Sequence, residues 1–230
     1  MRLAIAVSSD VYFYVVGGGF EDQRGIGIGN IEKYMRLFGF GEVPGDNDFF
    51  GAAGVIPNPE WKEANFNGDA WRVGNTYHTA IGQYGFQVTP LQAVRAIAAI
   101  ANGGKLLAPR LVRDADEQPD YKVIPIEPSS FGIVRDGMRM GVTEGTASGL
   151  ALSGVSLAAK TGTAELGTQK RYVNSWVVGF FPAQKPRYAF AVMMERGPRG
   201  NTVGATYVMR QFLEWMSVYA PEYLKADSSR

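Results

Sequence analysis

"SLAAKTGTAELGTQKRYVNSWVVGFFPAQKPRYAFAVMME", residues 156–195, decides the fold of this 230-residue chain. Three runs rich in apolar, β-branched and aromatic residues stand out: Ser156–Leu166, Tyr172–Phe181 and Tyr188–Glu195. Each has the length and composition of a strand. The links, "GTQKR" and "PAQKPR", are short and rich in turn residues. Parallel neighbours need a long crossover, so links this short predict an antiparallel meander.

The first strand carries "AKTGTAEL", residues 159–166. Alternate side chains on a strand share a face, so Lys160 and Gly162 point one way and Thr161 and Thr163 the other. A glycine here lets a ligand or another backbone come close. An edge strand offers N–H and C=O groups to an extended peptide. Lysine adds a fixed positive charge, a threonine hydroxyl can bind a carboxylate, and a backbone N–H near Thr163 can stabilise an oxyanion. These parts suit acyl transfer on a peptide. The plainer alternative is a solvated strand end, with Gly162 in a bulge.

Helices lie on both sides of the strands. Thr89–Ala101 has the clearest signature: Thr89 as N-cap, Pro90 at the first position, Gln92 completing a capping box, and Gly103 and Gly104 ending it. Its apolar stripe reads Leu91, Val94, Ile97, Ala98 and Ala101. Asp10–Val16, Ile31–Phe38 and Ser130–Val142 read as further helices, with "GTASG" (145–149) a loop. Val203–Val218 reads as an amphipathic helix with Val208, Phe212, Leu213 and Met216 inward. The Gly-rich "VVGGGFEDQRGIGIGN" reads as a loop, because the frame and preceding strand of a dinucleotide site are missing. Residues 42–75 read as one long irregular stretch, of the kind that serves a function or lines a groove. The predicted class is α+β: an antiparallel sheet covered by helices.

Composition narrows the function. A net charge of +1 gives no electrostatic case for nucleic acid or an anionic membrane surface. The chain has no cysteine, which excludes disulfides and thiolate metal sites. With one histidine, His78, and no calcium-loop frame in "EDQR" or "GDNDFF", no metal or other cofactor is expected; Asp46 and Asp48 read as turn residues. A Ser-His-Asp hydrolase would need His78 and a G-x-S-x-G elbow, and no such elbow occurs. The N-terminal "MRLAIAV" is cut short by Ser8, Ser9 and Asp10, which disfavours a signal peptide.

Taken in order, the motifs resemble those of the transpeptidase domain of class B penicillin-binding proteins, elongation type. "SSDVYFY" (8–14) is similar to that family's Ser-x-Asn/Asp motif. "GAAGVIPNPEWKE" (51–63), "WRVGNTYHTAIGQYGFQVTPLQAVRAIAAIANGG" (71–104), "VTEGTASG" (142–149), "AKTGTAEL", "WVVGFFP" (176–182) and "YAFAVMME" (188–195) are similar to its later stretches in the same order. The resemblance implies a penicillin-binding, serine β-lactamase-like fold over residues 1–230, with 219–230 a disordered tail. It implies Ser8 and Asp10 as proton-relay and positioning groups, Lys160 as the tuning lysine, and Thr161, Gly162 and Thr163 as binders of the substrate carboxylate and oxyanion. The implied substrate is the D-Ala-D-Ala stem peptide of peptidoglycan, mimicked by β-lactams. The implied location is the outer face of a bacterial cytoplasmic membrane, beside a membrane-embedded cell-wall polymerase.

The family's nucleophile lies in a Ser-x-x-Lys motif upstream of Ser-x-Asn/Asp. No serine here has a lysine three positions later, and only Met1–Val7 precede Ser8. The expectation is therefore the C-terminal portion of such an enzyme, cut short of its nucleophile and unable to acylate alone. A non-catalytic peptidoglycan- or partner-binding module and a β-lactamase-related hydrolase are the alternatives. Two departures from the family pattern stand out: "GQYGF" (82–86) inverts the usual Gly-Tyr order, and Asn75 stands where Asp is common.

Overall fold

The computed structural model describes residues 1–44, 51–112, 118–201 and 203–224. The helices are α1 (Arg2–Ala6), α2 (Asp10–Gly18), α3 (Gly27–Leu37), α4 (Pro59–Asn65), α5 (Val73–Ala80), α6 (Pro90–Ala101), α7 (Pro128–Glu144) and α8 (Ala205–Tyr219). The strands are β1 (Lys105–Leu107), β2 (Tyr121–Val123), β3 (Ala158–Leu166), β4 (Tyr172–Phe181) and β5 (Tyr188–Pro198). The chain forms two compact units, Met1–Ser8 with Ala93–Leu107 and Lys122–Arg230, and Ser9–Gln92 with Ala108–Tyr121.

In the first unit the meander is as the sequence predicts: the order is β3-β4-β5, antiparallel throughout. Val177 and Phe181 of β4 and Ala159 of β3 turn to one side, where they meet Met209, Leu213 and Met216 of α8, with Leu150 and Leu157 closing the core. The inward face of α8 corrects the sequence reading. Ala205, Met209, Leu213 and Met216 are buried, whereas Val208 and Phe212 are 41% and 51% exposed. Apolar residues occupy both faces of this helix, so periodicity alone could not choose between them. Of the stretch 219–230 read as a tail, Tyr219 closes α8, Pro221–Tyr223 form a 3-10 turn and Leu224 is buried. Residues 225–230, like Asp46 and Asp48, lie outside the described residues.

Helix α7 seats α1 through small residues. A Cβ on Gly145 would lie 2.2 Å from the Ala6 carbonyl oxygen, and one on Gly141 would lie 2.9 Å from that of Ala159. Backbone therefore approaches where only glycine leaves room. The short pair β1-β2 was not legible in the sequence, because three-residue strands carry no measurable alternation.

The second unit is built on short helices and long connections. Residues 42–75 are not irregular throughout: they contain α4 and the start of α5. The overlooked signal was "NPE": Asn58 caps α4 by accepting from Trp61 N at 2.8 Å, and Pro59 opens it. Helix α3 likewise begins at Gly27, inside the stretch read as a Gly-rich loop, and ends before Gly39, which takes φ +82°. The capping box before α6 is present, with Thr89 N donating to Gln92 Oε1 at 2.9 Å and Gln92 N donating to Thr89 Oγ1 at 3.2 Å. Gln92 is buried and its Nε2 donates to the carbonyls of Glu42 and Ala53, both at 2.8 Å. From Ala93 onward α6 belongs to the first unit, where Arg95, Ala96 and Ala99 are buried beside the expected Ile97 and Ala101. Leu91, Val94 and Ala98 of the expected stripe are only half-buried.

Both departures noted in the sequence have a structural setting here. Tyr84 and Gly85 both take positive φ, +61° and +77°. A Cβ on Gly85 would lie 2.3 Å from the Trp61 ring, so the glycine is required at the second position. Tyr84 in turn packs against Trp61, Phe66 and Trp71, which offsets the unfavourable backbone of a non-glycine residue. Asn75 accepts from Lys62 Nζ at 2.9 Å and from Arg72 N at 2.8 Å, so an uncharged acceptor serves at this position.

Candidate active site

Strand β3 is an edge strand of its sheet among the described residues, and its ladder to β4 is continuous from Ala158 to Leu166. Gly162 therefore sits in regular strand opposite Trp176, not in a bulge; the register shift of the sheet lies in the β4–β5 ladder, where Val173 pairs with Gly197 and Ser175 with Met194. A Cβ on Gly162 would meet Trp176 Cβ at 3.3 Å, so the glycine keeps this part of the strand low. Thr163 is exposed beside it.

The structure brings two of the candidate residues into direct contact. Lys160 Nζ donates to Ser8 Oγ at 2.7 Å, although 152 residues separate them in sequence. The same ammonium donates to the Thr161 carbonyl at 2.8 Å. Lys160 is half-buried and Ser8 exposed, so the pair is open at its surface. Ser8 takes φ +56°, a conformation that side chains other than glycine rarely adopt. It follows the last turn of α1, with its N–H donating to the Ile5 carbonyl at 3.3 Å.

Neither Ser8 nor Asp10 caps α2. That work falls to Ser9, whose Oγ accepts from Tyr12 N at 3.3 Å. Ser8 is thereby released for Lys160, and Asp10 stands exposed as the first residue of α2. His78, the residue of the rejected hydrolase reading, is exposed on α5 with its ring 6.1 Å from that of Tyr14.

Sequence reasoning missed Thr146. Its hydroxyl lies 2.8 Å from Thr161 Oγ1, and its N–H donates to the Ala6 carbonyl at 3.0 Å. In the sequence it lies within the loop "GTASG", and nothing there marks which hydroxyl is used. Further along β3, Glu165 is held below the usual carboxylate range by Lys170, with Arg199 adding to the effect.

The lysine on an open edge strand thus meets a serine from the turn after α1, beside a glycine and an exposed threonine, a set of groups of the kind that serves peptide binding and acyl transfer. The profile of the penicillin binding protein transpeptidase domain matches residues 1–214. The chain belongs to this family. Relatives of this transpeptidase family include the peptidoglycan D,D-transpeptidase MrdA of Acinetobacter baumannii, 31% identical in an alignment 224 residues long that covers 88% of this chain and 32% of that protein. The penicillin-binding protein PBP2 from Helicobacter pylori aligns with a TM-score of 0.75 at 33% identity, over 96% of this chain and 39% of that one. One chain of a structure titled for the coordination of polymerization and crosslinking by a peptidoglycan synthase complex aligns with a TM-score of 0.77 at 28% identity, over 100% of this chain and 38% of that chain. The chain thus spans about a third of the length of the curated relatives it matches. The α+β architecture and antiparallel sheet are those of penicillin-binding transpeptidase domains.

Proposed function

We propose that this chain supplies two walls of a peptidoglycan D,D-transpeptidase cleft, one at Ser8 and Asp10 and one at Lys160–Thr163. The observation that carries this reading is the 2.7 Å bond from Lys160 Nζ to Ser8 Oγ. In serine acyl transfer a hydroxyl beside a lysine ammonium can pass a proton between nucleophile, leaving amine and attacking amine. Ser8 takes that relay role and Lys160 fixes its direction. Asp10 orients the substrate amide. Thr161, Gly162 and Thr163 hold the stem peptide against β3, with the terminal carboxylate drawn to the lysine charge and a threonine hydroxyl. β-Lactams enter the same place as mimics of the D-Ala-D-Ala terminus.

The serine that attacks the D-Ala-D-Ala carbonyl belongs to a Ser-x-x-Lys motif, and this sequence contains none. The chain by itself binds its peptide without acylation. The proposed partner is a cell-wall polymerase, a reading supported by the likeness to one chain of a peptidoglycan synthase complex, and the proposed location is the outer face of the cytoplasmic membrane, where such a substrate lies. No helix among the described residues is long and apolar enough to cross a membrane.

The test is to titrate the purified chain with a peptide ending in D-Ala-D-Ala and, separately, to incubate it with a fluorescent β-lactam. Reversible peptide binding is expected, weakened about tenfold in Lys160→Ala, as loss of one charge-assisted hydrogen bond implies. No covalent label is expected. Binding indifferent to Lys160→Ala, or a β-lactam adduct on a serine of this chain, would overturn the reading.

A further inference from the structure

The Lys160–Ser8 contact closes a ring of hydrogen bonds. Ser8 Oγ accepts from Lys160 Nζ at 2.7 Å, and Lys160 Nζ also donates to the Thr161 carbonyl at 2.8 Å. The Thr161 hydroxyl donates to Thr146 Oγ1 at 2.8 Å. Thr146 N donates to the Ala6 carbonyl at 3.0 Å, and its hydroxyl lies 3.4 Å from the same oxygen. Ala6 leads through Val7 back to Ser8. We propose that Thr146 is a positioning residue that holds the Ser8 turn and the Lys160 strand in register.

Little else restrains Ser8. It is exposed, follows a helix of 5 residues, and adopts a left-handed backbone conformation that serine does not favour. Such a conformation persists where surrounding contacts impose it. The end of α7 provides those contacts to both partners. Gly145 admits the Ala6 carbonyl, Gly141 admits the Ala159 carbonyl next to Lys160, and Thr146 bonds to Ala6 on one side and Thr161 on the other. One helix end thus touches the backbone on each side of the Lys160–Ser8 pair. Only a β-hydroxyl can both accept from Thr161 and donate towards Ala6, so serine should replace Thr146 and valine should not.

The purpose of the ring rests on the transpeptidase reading, but its existence does not. It is tested without substrate, in the chain labelled with 15N-lysine, by the hydrogen exchange of the Lys160 ammonium; the signal is assigned with Lys160→Arg. In the unaltered chain these protons exchange about tenfold more slowly than those of exposed Lys185, because they are hydrogen-bonded. Thr146→Val raises the Lys160 rate about fivefold or more, while Thr146→Ser stays within about twofold of the original. Thr161→Val cuts the same bond from the other end, and serves should Thr146→Val not fold. Unchanged Lys160 exchange in a folded Val variant, or Lys160 exchanging as fast as Lys185 in the unaltered chain, overturns the proposal. Slow exchange in a chain that fails to bind the D-Ala-D-Ala peptide would sink the transpeptidase reading and leave the ring standing.

Discussion

Leu213 and Lys62 are both almost wholly buried, at 0% and 2% exposure, and for opposite reasons. Leu213 lies in the first unit, in an apolar core where α8 covers the sheet. Lys62 lies in the second, with its ammonium donating to Ala70 O at 2.6 Å and Asn75 Oδ1 at 2.9 Å and pairing with Asp69 at 2.8 Å. One unit is held by removal of apolar surface from water, the other in good part by buried polar groups that find partners. The difference matters for reading a sequence. An apolar core writes a periodic pattern into the chain, whereas a lysine that ties loops together looks like any surface lysine.

The comparison breaks first at the core. Leu213→Ala should cost about 3 kcal/mol in chemical denaturation, as a deleted buried side chain leaves a cavity. Its neighbour Phe212→Ala should cost less than about 1 kcal/mol, since Phe212 stands half out of the protein. Equal losses would show that the inward face of α8 is the one first read from the sequence.

A smaller effect is expected from Lys62→Met, about 2 kcal/mol. The methionine fills the space but leaves the Ala70 carbonyl only the long 3.4 Å bond from Arg72 Nη1, and Asn75 Oδ1 only the bond from Arg72 N. A neutral or stabilising result would mean that the second unit, too, rests on apolar packing.

The smallest effect is a change in acid sensitivity. Arg72, and after it Lys62, holds the Asp69 carboxyl well below its ordinary value of 3.8. A carboxyl lowered on folding adds stability that is complete above the unfolded value and is lost as pH falls towards the folded one. The urea midpoint of the chain should therefore fall below about pH 4, and Asp69→Asn should flatten that part of the curve. Parallel curves for the two proteins between pH 2 and pH 6 (a span of about one carboxylate titration on either side of 3.8) would remove Asp69 from the account. Glu165 in the first unit has the same sign, through Lys170, so some acid dependence remains in the variant.

The sequence by itself determined the antiparallel meander, the capped start of α6 and the identity of the Lys-Thr-Gly-Thr strand. These are local properties: alternation, turn length and capping residues act over a few positions and are written in order. It could not choose the inward face of α8, because Phe212 and Leu213 are equally apolar, nor find α4, whose single cap sits in a Pro- and Asn-rich stretch. Only the tertiary structure decided that Ser8 turns to Lys160, and that Thr146 joins Ala6 to Thr161. Those contacts span 152, 140 and 15 positions. No local pattern encodes them, because a hydroxyl's partner depends on which distant backbone the glycines of α7 allow to approach.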